Sequence, residues 1–117
     1  QYAHARICSV LRKSKAKDSE LDNSDLALLD SDREVEIQKM LQQYPTLIEK
    51  AALSSEPHLI CYYLKDLASS FHSYYNSEKF LVEDEMLMNS RLFLLSGVKQ
   101  VIHNGLSILG INAPQEM

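Results

Sequence analysis

Seven apolar side chains between positions 59 and 71 recur at the spacing of an α-helix. They repeat over four turns, while Asp66, Ser69 and Ser73 fall on the opposite side. This period predicts a long amphipathic helix with one buried face. Elsewhere in the chain, no segment alternates apolar and polar residues over enough positions to predict a strand. The stripe consists of Leu59, Ile60, Tyr63, Leu64, Leu67, Ala68 and Phe71.

Start and stop signals divide the rest of the chain into further helices. Ser31 and Glu34 have the spacing of a capping box, which predicts a helix start, and Pro45 predicts its end. Pro45 and Pro57 each suit the first turn of a following helix. We therefore predict an all-α fold, an antiparallel bundle of four main helices plus one short helix. The predicted helices cover 1–13, 31–44, 45–54, 57–75 and 83–109, with a loop at 14–25.

The composition fits one globular domain over residues 1–117. With 117 residues, 45% of them hydrophobic, the chain can build one core and not two. No apolar run is long enough for a membrane span, and nothing resembles a signal peptide. Cys8 and Cys61 lie among apolar neighbours, so we expect buried thiols in a reducing compartment, the cytoplasm.

Charge is distributed unevenly along the chain. The net charge of -4 argues against a general basic surface for nucleic acid. Residues 1–17, however, contain Arg and Lys but no acid, whereas residues 18–36 are strongly acidic. A solvated loop explains such a run most simply, yet one end of the molecule should carry a local positive field.

The first helix has two distinct faces. One is apolar and suits a core; it contains His4, Ile7, Cys8 and Leu11. The other aligns an aromatic ring with two cations; it contains Tyr2, Arg6, Ser9 and Lys13. Such an outward stripe is typical of a surface that binds a partner.

Few residues suggest chemistry, and we predict no catalytic group and no metal site. His58 and Cys61 are a weak pair where zinc needs four ligands. Arg91 lies on an apolar line, which favours a structural role, with its stem buried and its charge paired to an acid such as Asp66. Tyr75 lies at the last turn of its helix, where its ring either plugs the bundle end or offers a stacking surface.

Three blocks of sequence together resemble a known family. "QYAHARICSVLRK" at the start, "EPHLICYYLKDLASSFHSYYN" in the middle and "SRLFLLSGVKQVIHNGLSILGINAPQEM" at the end are similar to the C-terminal anticodon-binding domain of arginyl-tRNA synthetase. The similarity covers nearly the whole chain except the loop at 14–25. The ordered set is more specific than any one block.

The resemblance implies a fragment of a class I synthetase whose catalytic domain, which binds ATP and Mg²⁺, lies upstream. The fragment would hold no cofactor, would act as a monomer away from membranes, and would bind the anticodon of tRNA-Arg, reading its central C. By resemblance, the anticodon contacts include Tyr2, Tyr75, Asn76 and Met117; to these the outward stripe adds Arg6 and Lys13 as phosphate contacts.

The tail departs from the family pattern. The family commonly has Ala-Pro-Glu-Arg-Met, whereas Gln115 and Glu116 precede Met117 here, so the tail has an acid near the expected RNA. Two alternatives stay open at this point. The chain could be a helical protein-interaction module that uses the same outward stripe, or the anticodon-binding domain of another class I synthetase, such as the cysteine enzyme.

Overall fold

The computed structural model describes residues 2–14, 26–78 and 82–110, and four α-helices account for most of them. No strand occurs within these ranges, which confirms the all-α prediction. A 3₁₀ turn, Leu26–Leu28, precedes the second helix. The helices are α1 (Tyr2–Ser14), α2 (Asp32–Ser54), α3 (His58–Ser77) and α4 (Glu85–Ile108).

Helix α2 runs without interruption through Pro45, so the predicted break and the separate short helix at 45–54 were wrong. Ile37, Tyr44 and Ala51 are buried at intervals of seven residues, which places one continuous face on the core. Contacts with the other helices hold α2 on both sides of the proline, two hydrogen bonds before it and the buried Ala51 after it. The Tyr63 hydroxyl donates to the Met40 carbonyl, and the Tyr44 hydroxyl donates to the Asn104 side-chain oxygen at 2.6 Å. Tertiary packing thus overrides the helix-breaking tendency of Pro45.

The start of α2 follows the predicted capping signal, and local groups also cap both ends of α4. Ser31 and Glu34 form both hydrogen bonds of a capping box at the start of α2. Asp84 caps α4 by accepting from the Leu87 amide. Gly110, just after α4, has a φ of 78°, the left-handed conformation that favours glycine at this position.

The predicted apolar stripe of α3 forms the middle of the core. Leu67 and Phe71 are fully buried, and α3 packs against all three other helices. Helix α1 packs on α3 and α4, and within the described ranges it makes no contact with α2. The bundle therefore has α1 and α2 on different sides of the α3–α4 pair.

Gly105 allows α3 and α4 to approach closely. A Cβ atom at this position would lie 2.9 Å from both terminal methyl carbons of Leu64 and 3.2 Å from its Cγ. The prediction of two buried thiols is half correct, because Cys8 is buried whereas Cys61 is exposed on the outer face of α3.

In the described part of the chain, none of the helices combines the length and the apolar character that crossing a membrane requires.

Candidate nucleic-acid interface

Two tyrosines that are 73 positions apart meet across one arginine. The Arg6 guanidinium carbon lies 4.7 Å from the centre of the Tyr2 ring and 4.5 Å from the centre of the Tyr75 ring. Arg6 also donates a hydrogen bond to the Tyr2 hydroxyl. Cation–π attraction on both sides stabilises the guanidinium in this position. The predicted outward face of α1 and the predicted end of α3 thus form one surface.

The two rings are accessible to different degrees. Tyr2 is half exposed, whereas Tyr75 is partly buried, with its ring centre 6.0 Å from that of Phe71. The Tyr75 ring therefore packs against the edge of the core, the first of its two alternatives, and it also contacts the cation. We refer to Tyr2, Arg6 and Tyr75 as the ring–cation cluster.

His72 belongs to the same surface, although its sequence context did not single it out as a partner of Tyr2. Its ring centre lies 5.2 Å from that of Tyr2 and 5.3 Å from that of Phe71, and the side chain is half-buried. Burial, followed by the nearby Arg6 guanidinium, lowers the pKa of His72. The sequence signal that could have identified His72 is its position three residues before Tyr75, because residues three apart share one face of a helix.

The remaining predicted site residues lie at different distances from the ring–cation cluster. Asn76 is exposed and directly follows Tyr75 in the last turn of α3. Lys13 is exposed too, but it lies eleven positions after Tyr2, roughly 16 Å along the axis of α1. Met117 lies outside the described residues.

A buried polar network anchors the end of α3 beside the cluster. Glu34, which is 1% exposed, accepts hydrogen bonds from the Tyr74 hydroxyl at 2.6 Å and from Arg91 Nε at 3.0 Å. Arg91 also pairs with Glu78 at 3.4 Å. The predicted structural role of Arg91 is confirmed, but its acidic partner is Glu34 and not Asp66, which is exposed on the outer face of α3.

Hydrogen bonding decides the charge of this buried carboxylate. Burial alone would raise the pKa of Glu34, but hydrogen bonds from Tyr74, Ser31 and Arg91 outweigh it, so the pKa is lowered. Burial and the hydrogen bond to Glu34 raise the pKa of Tyr74. Glu34 is therefore ionised and Tyr74 neutral at pH 7, and together they connect α2, α3 and α4 next to Tyr75.

A groove elsewhere on the domain has different chemistry. A groove of about 240 Å³ lies between α2 and α4 and is lined by apolar side chains and two glutamines. Because no cation lines it, it does not suit a phosphate backbone. Its lining residues are Leu26, Gln38, Leu41, Gln42, Phe93, Leu94 and Gly97.

The described residues contain no group of three or more His, Cys, Asp or Glu side chains that could hold a metal ion. His4 is buried, with Nδ1 3.8 Å from the Cys8 sulfur, and its ring centre lies 6.0 Å from that of His103. His58 is exposed and pairs with Glu56 at 3.4 Å.

Comparison with known proteins identifies the family of the chain. The family model described as "DALR anticodon binding domain" matches residues 1–117. An arginine–tRNA ligase from Coxiella burnetii is 48% identical over 121 residues, covering all of this chain and 20% of the relative. One from Thioalkalivibrio sulfidiphilus is 50% identical over 121 residues, covering all of this chain and 21% of the relative.

Solved structures show the same fold. The arginyl-tRNA synthetase of Thermus thermophilus superposes with a TM-score of 0.86 at 32% identity, covering 99% of this chain and 20% of that one. A Campylobacter jejuni protein described as an arginyl-tRNA synthetase gives 0.91 at 32% identity, covering 99% and 25%. This chain thus spans about a fifth of the length of the relatives it matches. The resemblance found from the sequence is confirmed, and the chain belongs to the DALR anticodon-binding domain family.

Proposed function

We propose that this domain binds the anticodon stem and loop of tRNA-Arg through the ring–cation cluster. The observation that carries the proposal is the position of Arg6 between Tyr2 and Tyr75, on a domain whose family binds anticodons. Unpaired bases stack on aromatic side chains and on guanidinium planes, and each stacked base contributes about 1–3 kcal/mol. Asn76, beside Tyr75, offers both a donor and an acceptor for a base edge.

The proposed electrostatics explain how an acidic chain can hold RNA. Arg6 would contact a phosphate near the loop, and Lys13 would contact the stem further along α1. The spacing of roughly 16 Å between Lys13 and Tyr2 suits a backbone that extends beyond the anticodon bases. Met117, by resemblance, would contact the same loop.

We further propose that the parent protein is an arginine–tRNA ligase, in which the catalytic domain binds ATP and Mg²⁺ and charges the far end of the tRNA. The relatives that carry this name support it. They also favour the arginine enzyme over the cysteine enzyme. We expect the protein to be a cytoplasmic monomer.

Every arginine anticodon has a central C, because every arginine codon has a central G, so this base is the proposed target of discrimination.

The experiment is a binding titration of the 117-residue chain with a fluorescent anticodon stem-loop of tRNA-Arg. We expect the affinity to fall as salt rises and to drop when the central C is replaced by U. Equal affinity for both stem-loops would overturn the proposed reading of the central base. Binding that is absent at low salt would overturn the proposed function and favour the protein-interaction module.

A further inference from the structure

His72 is an ionisable group beside the ring–cation cluster that the proposed function leaves unused. The centre of its imidazole ring lies 5.2 Å from the centre of the Tyr2 ring. The guanidinium carbon of Arg6 lies 4.7 Å from the centre of the same Tyr2 ring. Tyr2 is half exposed, so the region between these groups opens to solvent. The two basic side chains therefore lie on one accessible edge of the α1–α3 seam.

The surroundings of His72 keep it neutral in the free protein. Within the described residues, Arg6 and Tyr2 approach it from α1, and Phe71 and Tyr75 lie beside it on α3. Arg6 is the charged side chain among them, and no described carboxylate contributes to its titration. Burial, Arg6 and the positive charge of the amino terminus all lower the pKa of His72, so near pH 7 the imidazole carries no charge.

We propose that His72 is a proton-linked phosphate contact, whose imidazole takes up one proton from solvent when RNA binds and then flanks a backbone phosphate together with Arg6. The inference rests on the proposed function, because the phosphate is one of the anticodon loop. It adds a residue to the site and makes the affinity of the site dependent on pH.

The chemistry follows from charge balance. In the free protein, protonating His72 would place two cations around Tyr2 with no described carboxylate to balance them, which is unfavourable. A phosphate at this edge reverses that balance, because it attracts both the guanidinium and the imidazolium. By linkage, an anion that favours the protonated imidazole must bind more tightly when the pH falls.

The test measures the affinity for the anticodon stem-loop of tRNA-Arg at pH 7.5, 6.5 and 5.5, at constant ionic strength. We expect the wild-type affinity to rise by roughly three- to tenfold over this range, the effect of part or all of one pKa unit of coupling. In His72→Gln the affinity should change little with pH. The matched control is His58→Gln, on the same helix but roughly 21 Å away, which should keep the wild-type slope.

A second measurement needs no variant. NMR titration of the His72 ring proton should give a higher pKa in the RNA complex than in the free chain. Equal pH slopes for wild type and His72→Gln, or an unchanged pKa on binding, would overturn the inference while leaving the proposed function intact. Failure to bind the stem-loop at every pH would overturn the proposed function, and with it this inference.

Discussion

The guanidinium of Arg6 lies over the ring of Tyr75, with its carbon 4.5 Å from the ring centre. Arg6 belongs to the first helix and Tyr75 to the last turn of the third, so the contact joins two elements that are distant in sequence. Because Tyr2 contacts the same guanidinium, disturbing either ring also disturbs the cation. The cluster therefore acts as one surface and not as three separate contacts.

Tyr75→Ala should weaken binding of the tRNA-Arg stem-loop by about 1–3 kcal/mol, the contribution of one stacked base. Tyr75→Phe should retain most of the affinity, because the ring face is preserved. Tyr62→Ala is the matched control, since Tyr62 is an exposed tyrosine near the other end of the same helix. If both Tyr75 variants lose their thermal transition, the ring is needed for folding and its assignment to the interface is wrong.

Arg91→Met should lower the free energy of unfolding by about 3–5 kcal/mol, because it leaves the buried Glu34 carboxylate without its charged partner. Urea denaturation followed by circular dichroism measures the change. Arg33→Met, an exposed arginine on α2, should change stability by no more than about 0.5 kcal/mol. A loss of similar size in both variants would contradict the special role of Arg91.

Stability should fall in acid as Glu34 becomes protonated. Its pKa in the folded chain is lower than the ordinary value of 4.5, so its stabilising effect is complete above pH 4.5 and is lost as the pH falls through the folded-state pKa. Thermal melts from pH 7 to pH 3 should show wild type and Glu34→Gln converging below pH 4.5. A constant gap between them at all pH values would contradict this assignment.

Gly105→Ala should destabilise the bundle by about 1–2 kcal/mol, because the new methyl group would overlap the Leu64 side chain and outweigh the gain in helix propensity. Gly97→Ala is the comparison in the same helix. There the new atom would lie 3.3 Å from the flexible end of Leu41, so the propensity gain should dominate and stability should hold or increase. Differential scanning calorimetry of both variants decides the matter by the sign of each shift in Tm.

Pro45→Ala should stabilise the domain by about 1–3 kcal/mol. Alanine restores a backbone donor to the middle of α2, and Pro45 is exposed, so little packing is lost. Proline also lowers the conformational entropy of the unfolded chain, which favours folding. Losing this effect in the alanine variant offsets about 1 kcal/mol of the gain. A midpoint of urea denaturation that is lower for Pro45→Ala than for wild type would show instead that Pro45 stabilises the fold.

Local patterns predicted most of the fold. The apolar stripe of α3 and the capping box of Ser31 and Glu34 depend on spacings of three and four residues, which a single sequence displays directly. Pro45 was misjudged because its local preference is opposed by tertiary contacts on both sides, the hydrogen bonds of Tyr44 and Tyr63 before it and the burial of Ala51 after it, and those contacts exist only in the assembled bundle. Cys61 was misjudged because it lies with the exposed Tyr62 on the outer side of α3, although the preceding Ile60 is buried.

The candidate site was predicted only in part, because a single sequence shows neighbours on one helix face but not contacts between helices. Tyr2 and Arg6 are neighbours on one helix face, and the family resemblance brought in Tyr75. No spacing indicates, however, that Arg6 lies between the two rings or that His72 adjoins Tyr2. The pairing of Arg91 with Glu34 spans 57 positions and depends on the packing of α2 against α4, so Asp66 was an equally reasonable partner on sequence alone.

The separation of α1 from α2 affects which amino-acid substitutions the domain can tolerate. Because α1 makes no contact with α2 within the described ranges, its outer face reaches the α2–α3 hairpin through Tyr75 and His72 on α3, so substitutions elsewhere on that face leave the hairpin undisturbed. Nucleotide preference could then drift, or be redesigned, while the hairpin continues to supply the scaffold. A library that randomises the solvent-facing side of α1 should yield folded variants far more often than one that randomises α3.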